Sequence, residues 1–343
     1  MVNFDVSKNW AILLPLDQAF IKKATEDLTR YIGLLAAMDA AHPPKPLPFI
    51  SASEPAPDHT VPVLILNNAN NGSEQNGFSW RATPERVEIL GDSGRGLCNG
   101  IYSFLAALGL SWPAPGQEKL PSSSNKDFPL AFNKAHESSN ASSWRRFVVE
   151  EKKTIRELLK KSDDLAAWAA RQRYDALVFP LAAFASKNTG SKLRQLKESV
   201  GEYDIQLEAG GRDLSSLLPR RHFILHRDYF RMTDGRREKD HHFCPTSPGT
   251  IRIAGKEAEK LFRAADVKTY HLWPDREAES AWCSCPSCRA FTPPEQNRIA
   301  VNIAADVLSA MNPEATLTYF EKSSEGIKVP MRKNSFRMEE PPD

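Results

Sequence analysis

From residue 128 onward, short apolar runs alternate with stretches whose apolar residues recur at helical spacing, and this alternation constrains the fold more than any other feature. Strand-like runs occupy 128–132, 176–179, 203–207, 268–273 and 316–320, and helical patterns occupy 152–173, 192–200, 255–265 and 296–310. Strands separated by helices pair in parallel, because the intervening helix carries the chain back to the edge where the last strand began. The pattern predicts an α/β fold with a (β/α) barrel-like domain, whose strand exits share one face and carry the functional side chains. A closed barrel of this kind has eight strands. The five found here, with 329–343 too polar and Pro-rich to add more, predict a barrel incomplete at its C-terminal end, either because the natural protein is short there or because this chain is a fragment. A long irregular stretch, 210–249, interrupts the alternation.

The preceding residues have a different pattern. A strand-like start at 10–18 is followed by helical spacing through Phe20, Ala24, Leu28, Tyr31, Ile32 and Leu35, and then by a Pro-rich stretch, 42–57, expected as a loop. Apolar runs at 61–66 and 78–80 and the alternating Arg86-Val87-Glu88-Ile89-Leu90 read as strands. Gly91 to Gly96 turns the chain into an apolar helix, 97–108, closed by Gly109. These glycines have neither the spacing of a Walker loop nor that of a dinucleotide fingerprint, so they predict a turn and no nucleotide site. A linker rich in Pro, Ser and Lys at 113–127 divides an α+β domain, 1–125, from the barrel-like domain, 126–343.

Composition excludes several classes. The 343 residues are 41% hydrophobic and 26% charged, as expected of a globular protein. The 45 Lys+Arg and 43 Asp+Glu leave a net charge of +2, with basic pairs such as Arg145-Arg146 and Lys160-Lys161 interleaved with acids, so no field favours nucleic acid as partner. No apolar stretch reaches the roughly 18 residues of a membrane span. Met1 to Phe20 lacks the pattern of a secretory signal, so the expectation is a soluble, cytoplasmic protein if this is its natural start, and a secreted or periplasmic one if a signal has been removed.

The strand exits concentrate the reactive side chains. Tyr270-His271-Leu272-Trp273 reads as a buried strand, and Asp275 and Glu277 follow it at once. Glu321 follows the last strand, His136 and Glu137 the first, and Arg212 and Asp213 the third. His226 and Tyr229 lie in the irregular stretch. For five of them there is a plainer alternative: a turn cap for Asp275, a solvated position for Glu277, a surface salt bridge for Arg212, and a packed crossover for His226 and Tyr229. Three thiols, Cys283, Cys285 and Cys288, fall within six residues. With Cys244 as fourth ligand they would close a tetrahedral structural zinc site; the alternatives are reduced thiols under a loop, a disulfide, or ligation by His241 and His242. No organic cofactor is expected, and Cys98 on the apolar helix is expected in the core.

The string Val87-Glu88-Ile89-Leu90-Gly91-Asp92-Ser93-Gly94-Arg95-Gly96, continued by Asn99-Gly100-Ile101-Tyr102 and Leu108-Gly109-Leu110-Ser111-Trp112-Pro113, resembles the accessory domain that precedes family 20 hexosaminidases and family 67 glucuronidases. Trp168, Arg171, Gly210-Gly211, His226-Arg227-Asp228-Tyr229, Phe243-Cys244-Pro245, Asp275 and Trp282-Cys283 resemble the large bacterial family known as domain of unknown function 4838, part of which is glycoside hydrolase family 163.

That resemblance implies a glycosidase, β-N-acetylglucosaminidase-like, acting on glycans that contain N-acetylhexosamine by a retaining, substrate-assisted mechanism. Such chemistry needs a carboxyl to protonate the leaving oxygen and a second group to stabilise the oxocarbenium-like centre or orient the acetamido carbonyl. Asp275, Glu277 and Glu321 are the candidate carboxylates. His136, Glu137, Arg212, His226, Tyr229 and Trp273 are the candidate substrate contacts, with Trp273 as a platform for a sugar's apolar face. Arg212 stands where that family commonly has histidine after the paired glycines, and His226-Arg227-Asp228-Tyr229 stands for its His-Pro-Glu-Tyr. These departures keep open an alternative: an inactive carbohydrate-binding or structural protein on the same fold, with its zinc site.

Overall fold

The structure, a computed structural model, describes residues 2–5, 10–14, 19–37, 49–51, 63–68, 77–83, 85–121, 127–130, 145–240, 242–274, 282–321 and 326–338. Two compact units divide the chain: Met1–Arg145, Lys161–Asp175 and Lys197–Gln206 form the first, and Arg146–Lys160, Ala176–Leu196 and Leu207–Asp343 the second.

In the first unit β1 (Val2–Asp5), β2 (Ala11–Leu14), α1 (Ala19–Ala37), β3 (Phe49–Ser51), β4 (Val63–Asn68), β5 (Phe78–Ala82), β6 (Arg86–Gly91), α2 (Gly94–Ala107) and β7 (Asp127–Leu130) follow in order. A five-stranded sheet has the order β3-β2-β4-β6-β5, with only β5 antiparallel to its neighbour. Helix α1 buries the residues its spacing selects: Ile21, Ala24, Leu28, Tyr31, Ile32 and Leu35. At the glycine turn the Ser93 side chain accepts from the Gly96 N–H at 3.0 Å and caps α2. A Cβ on Gly91 would lie 2.1 Å from the Leu97 nitrogen, so the close return of the chain here requires glycine.

Two expectations are corrected in this unit. The Pro-rich stretch 42–57 contains β3, an edge strand pairing in parallel with β2 through Ile12 and Phe49; prolines flanking a short edge strand forfeit no ladder bonds. The run at 128–132 is not the first strand of the barrel-like domain: as β7 it pairs antiparallel with β1, Phe4 opposite Phe128.

The second unit is built on β8 (Arg146–Val148), then α3 (Lys152–Leu158); helix α4 (Ser162–Arg171) follows in the chain but belongs to the first unit. Next come β9 (Ala176–Phe179), α5 (Leu181–Ala185), α6 (Gly190–Gly201), β10 (Gln206–Gly211), a run of 3-10 turns, the short hairpin β11 (Met232–Thr233) and β12 (Arg236–Arg237), α7 (Pro248–Ala265), β13 (Thr269–Leu272), α8 (Pro293–Met311), β14 (Thr316–Phe320) and β15 (Ser335–Met338). The fold is mixed α/β, with a six-stranded parallel sheet in the order β8-β9-β10-β13-β14-β15. Neighbours in this sheet follow the order of the chain, as in a (β/α) barrel, and every residue of β9 is buried, as a strand covered on both faces must be. The expected absence of a strand beyond 329 is corrected by β15, which is polar and half exposed yet pairs with β14 over Leu317↔Ser335 to Phe320↔Met338. The true first strand, β8, was hidden by its charged Arg146.

The start of α8 organises what surrounds it. Thr292 and Glu295 form a reciprocal capping box, and Glu295 also accepts the Lys328 N–H at 3.0 Å. Asn297 donates to the Phe320 carbonyl at 3.0 Å, and Asn302 to the Pro330 carbonyl at 2.9 Å. These buried polar groups fasten the segment leading into β15.

In the first unit one carboxylate collects several donors. Glu118 accepts from Arg30 at 2.6 and 3.0 Å, from the Tyr31 hydroxyl at 2.7 Å and from Arg171 at 3.0 Å. Arg171 also grips Asp27 with two bonds, of 3.0 and 3.1 Å. The Arg30 bonds, working against partial burial, lower the Glu118 pKa from 4.5 to about 2. A carboxyl whose folded pKa lies below its unfolded value stabilises the fold above the unfolded value, and that contribution disappears as pH falls through the folded one. Glu118→Gln is therefore expected to lower the thermal midpoint at neutral pH, with the gap to the parent closing as pH drops from 4.5 to about 2. A gap independent of pH would show that the carboxylate charge is not what holds this network.

Candidate functional site at the strand exits

The interior of the six-stranded sheet contains a polar chain that begins with a charge. Glu208 on β10 is 1% exposed and His271 on β13 is 0% exposed. Arg146 on β8 donates to Glu208 through Nε at 2.6 Å, and His271 Nε2 lies 2.8 Å from the same carboxylate oxygen. On its other side His271 Nδ1 lies 2.6 Å from Thr318 Oγ1 on β14, and the Trp273 indole N–H donates to that oxygen at 3.1 Å. One assignment satisfies every group: Trp273 donates to Thr318, Thr318 donates to Nδ1, and Nε2–H donates to Glu208. Burial pushes the His271 pKa down, keeping the ring neutral. Burial opposes the charge on Glu208, but the His271 hydrogen bond and the Arg146 charge outweigh it, and its pKa lies below the usual carboxylate value. None of Arg146, Glu208, His271 and Thr318 was singled out from sequence as a site residue. The available signal was an acid or a histidine flanked on both sides by apolar residues of a strand, which must find a partner when buried.

Beyond this chain lie the exits. Gly210 and Gly211 close β10 with φ of 118° and 120°, and a Cβ on Gly210 would meet the His271 carbonyl oxygen at 1.9 Å, so β10 and β13 approach here only without side chains. Arg212 donates to the Pro274 carbonyl at 3.1 Å, tying the exit of β10 to that of β13, and Asp213 accepts the Leu181 N–H at 2.7 Å at the start of α5. Trp273 is fully buried. Glu321, at the exit of β14, is 4% exposed, and both its oxygens accept from Arg298 on α8, at 2.9 and 2.5 Å. Asp275, Glu277, His136 and Glu137 lie outside the described residues. For His136 and Glu137 the strand that was to place them is β7, which belongs to another sheet.

Tyr229 is buried against Gly249, and its ring stacks on exposed His226 with centroids 4.6 Å apart. Next to the β10 exit, Ser215, Ser216, Leu218, Pro219, Arg220, Lys239 and Asp240 line an open cleft of about 360 Å³. Its Arg220 guanidinium donates to the carbonyls of Ser215 and Leu218.

The thiols converge. Cys244, Cys283, Cys285 and Cys288 are all buried, and their sulfurs lie within 4.8 Å of one another. Cys244 Sγ is 3.7 Å from Cys285 Sγ and 3.6 Å from Cys288 Sγ. The Met232 N–H donates to Cys283 Sγ at 3.3 Å, and Arg237 lies 3.8 Å from it. Hydrogen bonds from Cys283 and Cys288 push the Cys244 thiol down in pKa, while those two thiols are pushed up. Gln296 on α8, not anticipated from sequence, accepts the Cys283 N–H at 3.0 Å and donates to the carbonyls of Cys283, Cys288 and Phe291 at 3.1, 3.3 and 3.2 Å. His242 stacks on Trp282 at 4.2 Å and is not in the cluster; His241 lies outside the described residues. Cys98 is buried in α2.

No protein-family model and no curated protein sequence matches the chain. Solved structures do. The chain is similar to the Flavobacterium johnsoniae chitobiase of family GH20, with TM-score 0.55 and 13% identity over 98% of this chain and 52% of that one. It is also similar to the GH20 exo-β-N-acetylglucosaminidase of Vibrio harveyi solved with N-acetylglucosamine, with TM-score 0.54 and 13% identity over 98% of this chain and 54% of the other. A GH138 enzyme targeting pectin rhamnogalacturonan II matches with TM-score 0.55 and 10% identity over 96% of this chain and 38% of its own. The chain thus spans about half the length of the two GH20 enzymes. At these identities the likeness establishes a glycoside hydrolase-like fold.

Removing one member of the interior chain leaves a buried charge without its partner. Glu208→Ala is expected to cost about 3–5 kcal/mol through the stranded Arg146, read as a lower urea midpoint for the second unit. A midpoint unchanged within error would mean that the Arg146 charge is not compensated by Glu208.

Proposed function

We propose that this protein is a carbohydrate-active protein, a glycosidase of the β-N-acetylglucosaminidase-like kind, working at the strand exits of its six-stranded sheet. One observation carries the reading: a parallel sheet whose neighbours run in chain order, with Arg212, Asp213, Trp273 and Glu321 at consecutive exits, on a fold shared with GH20 enzymes. The sequence resemblance to domain of unknown function 4838 and glycoside hydrolase family 163 points the same way.

In this reading Asp275 is the carboxylate that orients the acetamido group of the substrate or assists its attack, with Glu277 beside it. Arg212 supports this role indirectly, because it holds the carbonyl of Pro274, the residue immediately before Asp275. Trp273, locked by Thr318, is a rigid base from which that segment departs. Exposed His226, stacked on Tyr229, and the cleft lined by Ser215, Ser216 and Lys239 offer ring, hydroxyl and amine surfaces of the sort that bind sugars. The non-catalytic glycan-binding reading is favoured by Glu321, whose two oxygens are both engaged by Arg298.

The test is hydrolysis of a panel of fluorogenic sugars and intact N-glycans by the parent protein and by Asp275→Asn. The parent is expected to turn over an N-acetylhexosaminide, and the variant to lose about 100-fold or more in rate, the usual range for losing one preorganised group that stabilises charge in the transition state. A folded parent that binds glycans without turning over any panel member would replace this reading by the binding one.

A further inference from the structure

We infer that Cys244, Cys283, Cys285 and Cys288 hold a single zinc ion as four thiolates, and that Gln296 is the positioning residue that shapes the loop for it. A zinc–sulfur bond of about 2.3 Å puts the corners of a tetrahedron about 3.8 Å apart. The Cys244 sulfur lies 3.7 and 3.6 Å from those of Cys285 and Cys288, and all four fall within 4.8 Å. Four sulfurs are therefore already gathered at nearly the spacing one ion imposes. All four cysteines are free, so no covalent bridge accounts for the convergence.

The surroundings fit a thiolate centre better than a patch of thiols. Four thiolates around a dication leave two negative charges, and sulfur in that state accepts hydrogen bonds. Donors stand at the right places: the Met232 N–H at 3.3 Å and the Arg237 guanidinium at 3.8 Å from Cys283, and the Thr246 hydroxyl at 3.1 Å from Cys288. Arg237 also supplies a positive charge beside Cys283. Thiolate-only sets select zinc over magnesium or calcium, and with four protein ligands no coordination position stays open. The ion would be structural, joining the segment at Phe243-Cys244 to the segment that leads into α8.

Gln296 acts one step out. Its amide makes four hydrogen bonds to the backbone at Cys283, Cys288 and Phe291, so it fixes the curvature of the segment that presents three of the ligands. It touches no sulfur. Groups at that distance typically alter metal affinity by about 10–100-fold.

The experiment is elemental analysis of the full-length protein purified without added metal or chelator, together with release of zinc to a chromophoric chelator. About one equivalent of zinc is expected in the parent. Gln296→Leu is expected to bind the same stoichiometry after reconstitution while releasing it at about 10–100-fold lower chelator concentration. Cys285→Ser/Cys288→Ser is expected to lose the metal. Should that variant fail to fold, the parent alone decides, through its thermal midpoint after chelation and after zinc is restored. Less than about a tenth of an equivalent of any metal, four thiols reacting freely in the native protein, or stoichiometric iron with its thiolate absorption would each overturn the inference. None of these readouts involves turnover, so the result stands apart from the fate of the glycosidase reading.

Discussion

An ionised carboxylate deep inside a sheet loses several kcal/mol of hydration, and the protein must return it through partners held at fixed positions. Glu208 meets that demand with Arg146 on one side and His271 on the other, and His271 is in turn fixed by Thr318. Because these side chains come from β8, β10, β13 and β14, the requirement sets the register of the strands as well as their packing. A slip of one residue in any of these strands would turn its member of the chain to the opposite face of the sheet. The exits stand where they do because this interior leaves them no alternative.

Much of the framework is legible in the sequence because it rests on apolar side chains. The stripe from Ile21 to Leu35 announces α1, and the unbroken run Ala176-Leu-Val-Phe announces β9. Elements held mainly by backbone pairing left no such trace. β3 is three residues among prolines, and β15 carries a serine and an arginine on a half-exposed edge. β8 was obscured for a third reason: Arg146 reads as a surface residue until its partner, 62 positions away, is known. The apolar segment at 128–132 takes that assignment in the sequence, and its residues within β7 pair with β1.

The candidate site divides along the same line. Cysteine type and spacing were enough to nominate all four thiols, since few other chemistries crowd sulfur so closely. Gln296 could not be found that way, because an amide that bonds only to backbone has no characteristic neighbour in the sequence. Arg212 and Glu321 were nominated by their positions after strands, and the structure supplies the carbonyl and the guanidinium they engage. What sequence position cannot reveal is whether an acid at a strand exit faces a ligand or an arginine.

Successive residues at the start of α8 belong to different jobs: Glu295 and Arg298 secure the segment around 328–329, Gln296 secures the cysteine loop, and Asn297 secures the end of β14. One rigid rod is thereby bolted to the chain leaving β13 and to the chain leaving β14. Two neighbouring rims of the sheet therefore share one anchor, because the hydrogen bonds that hold the cysteine loop and those that hold the end of β14 leave the same turn of α8.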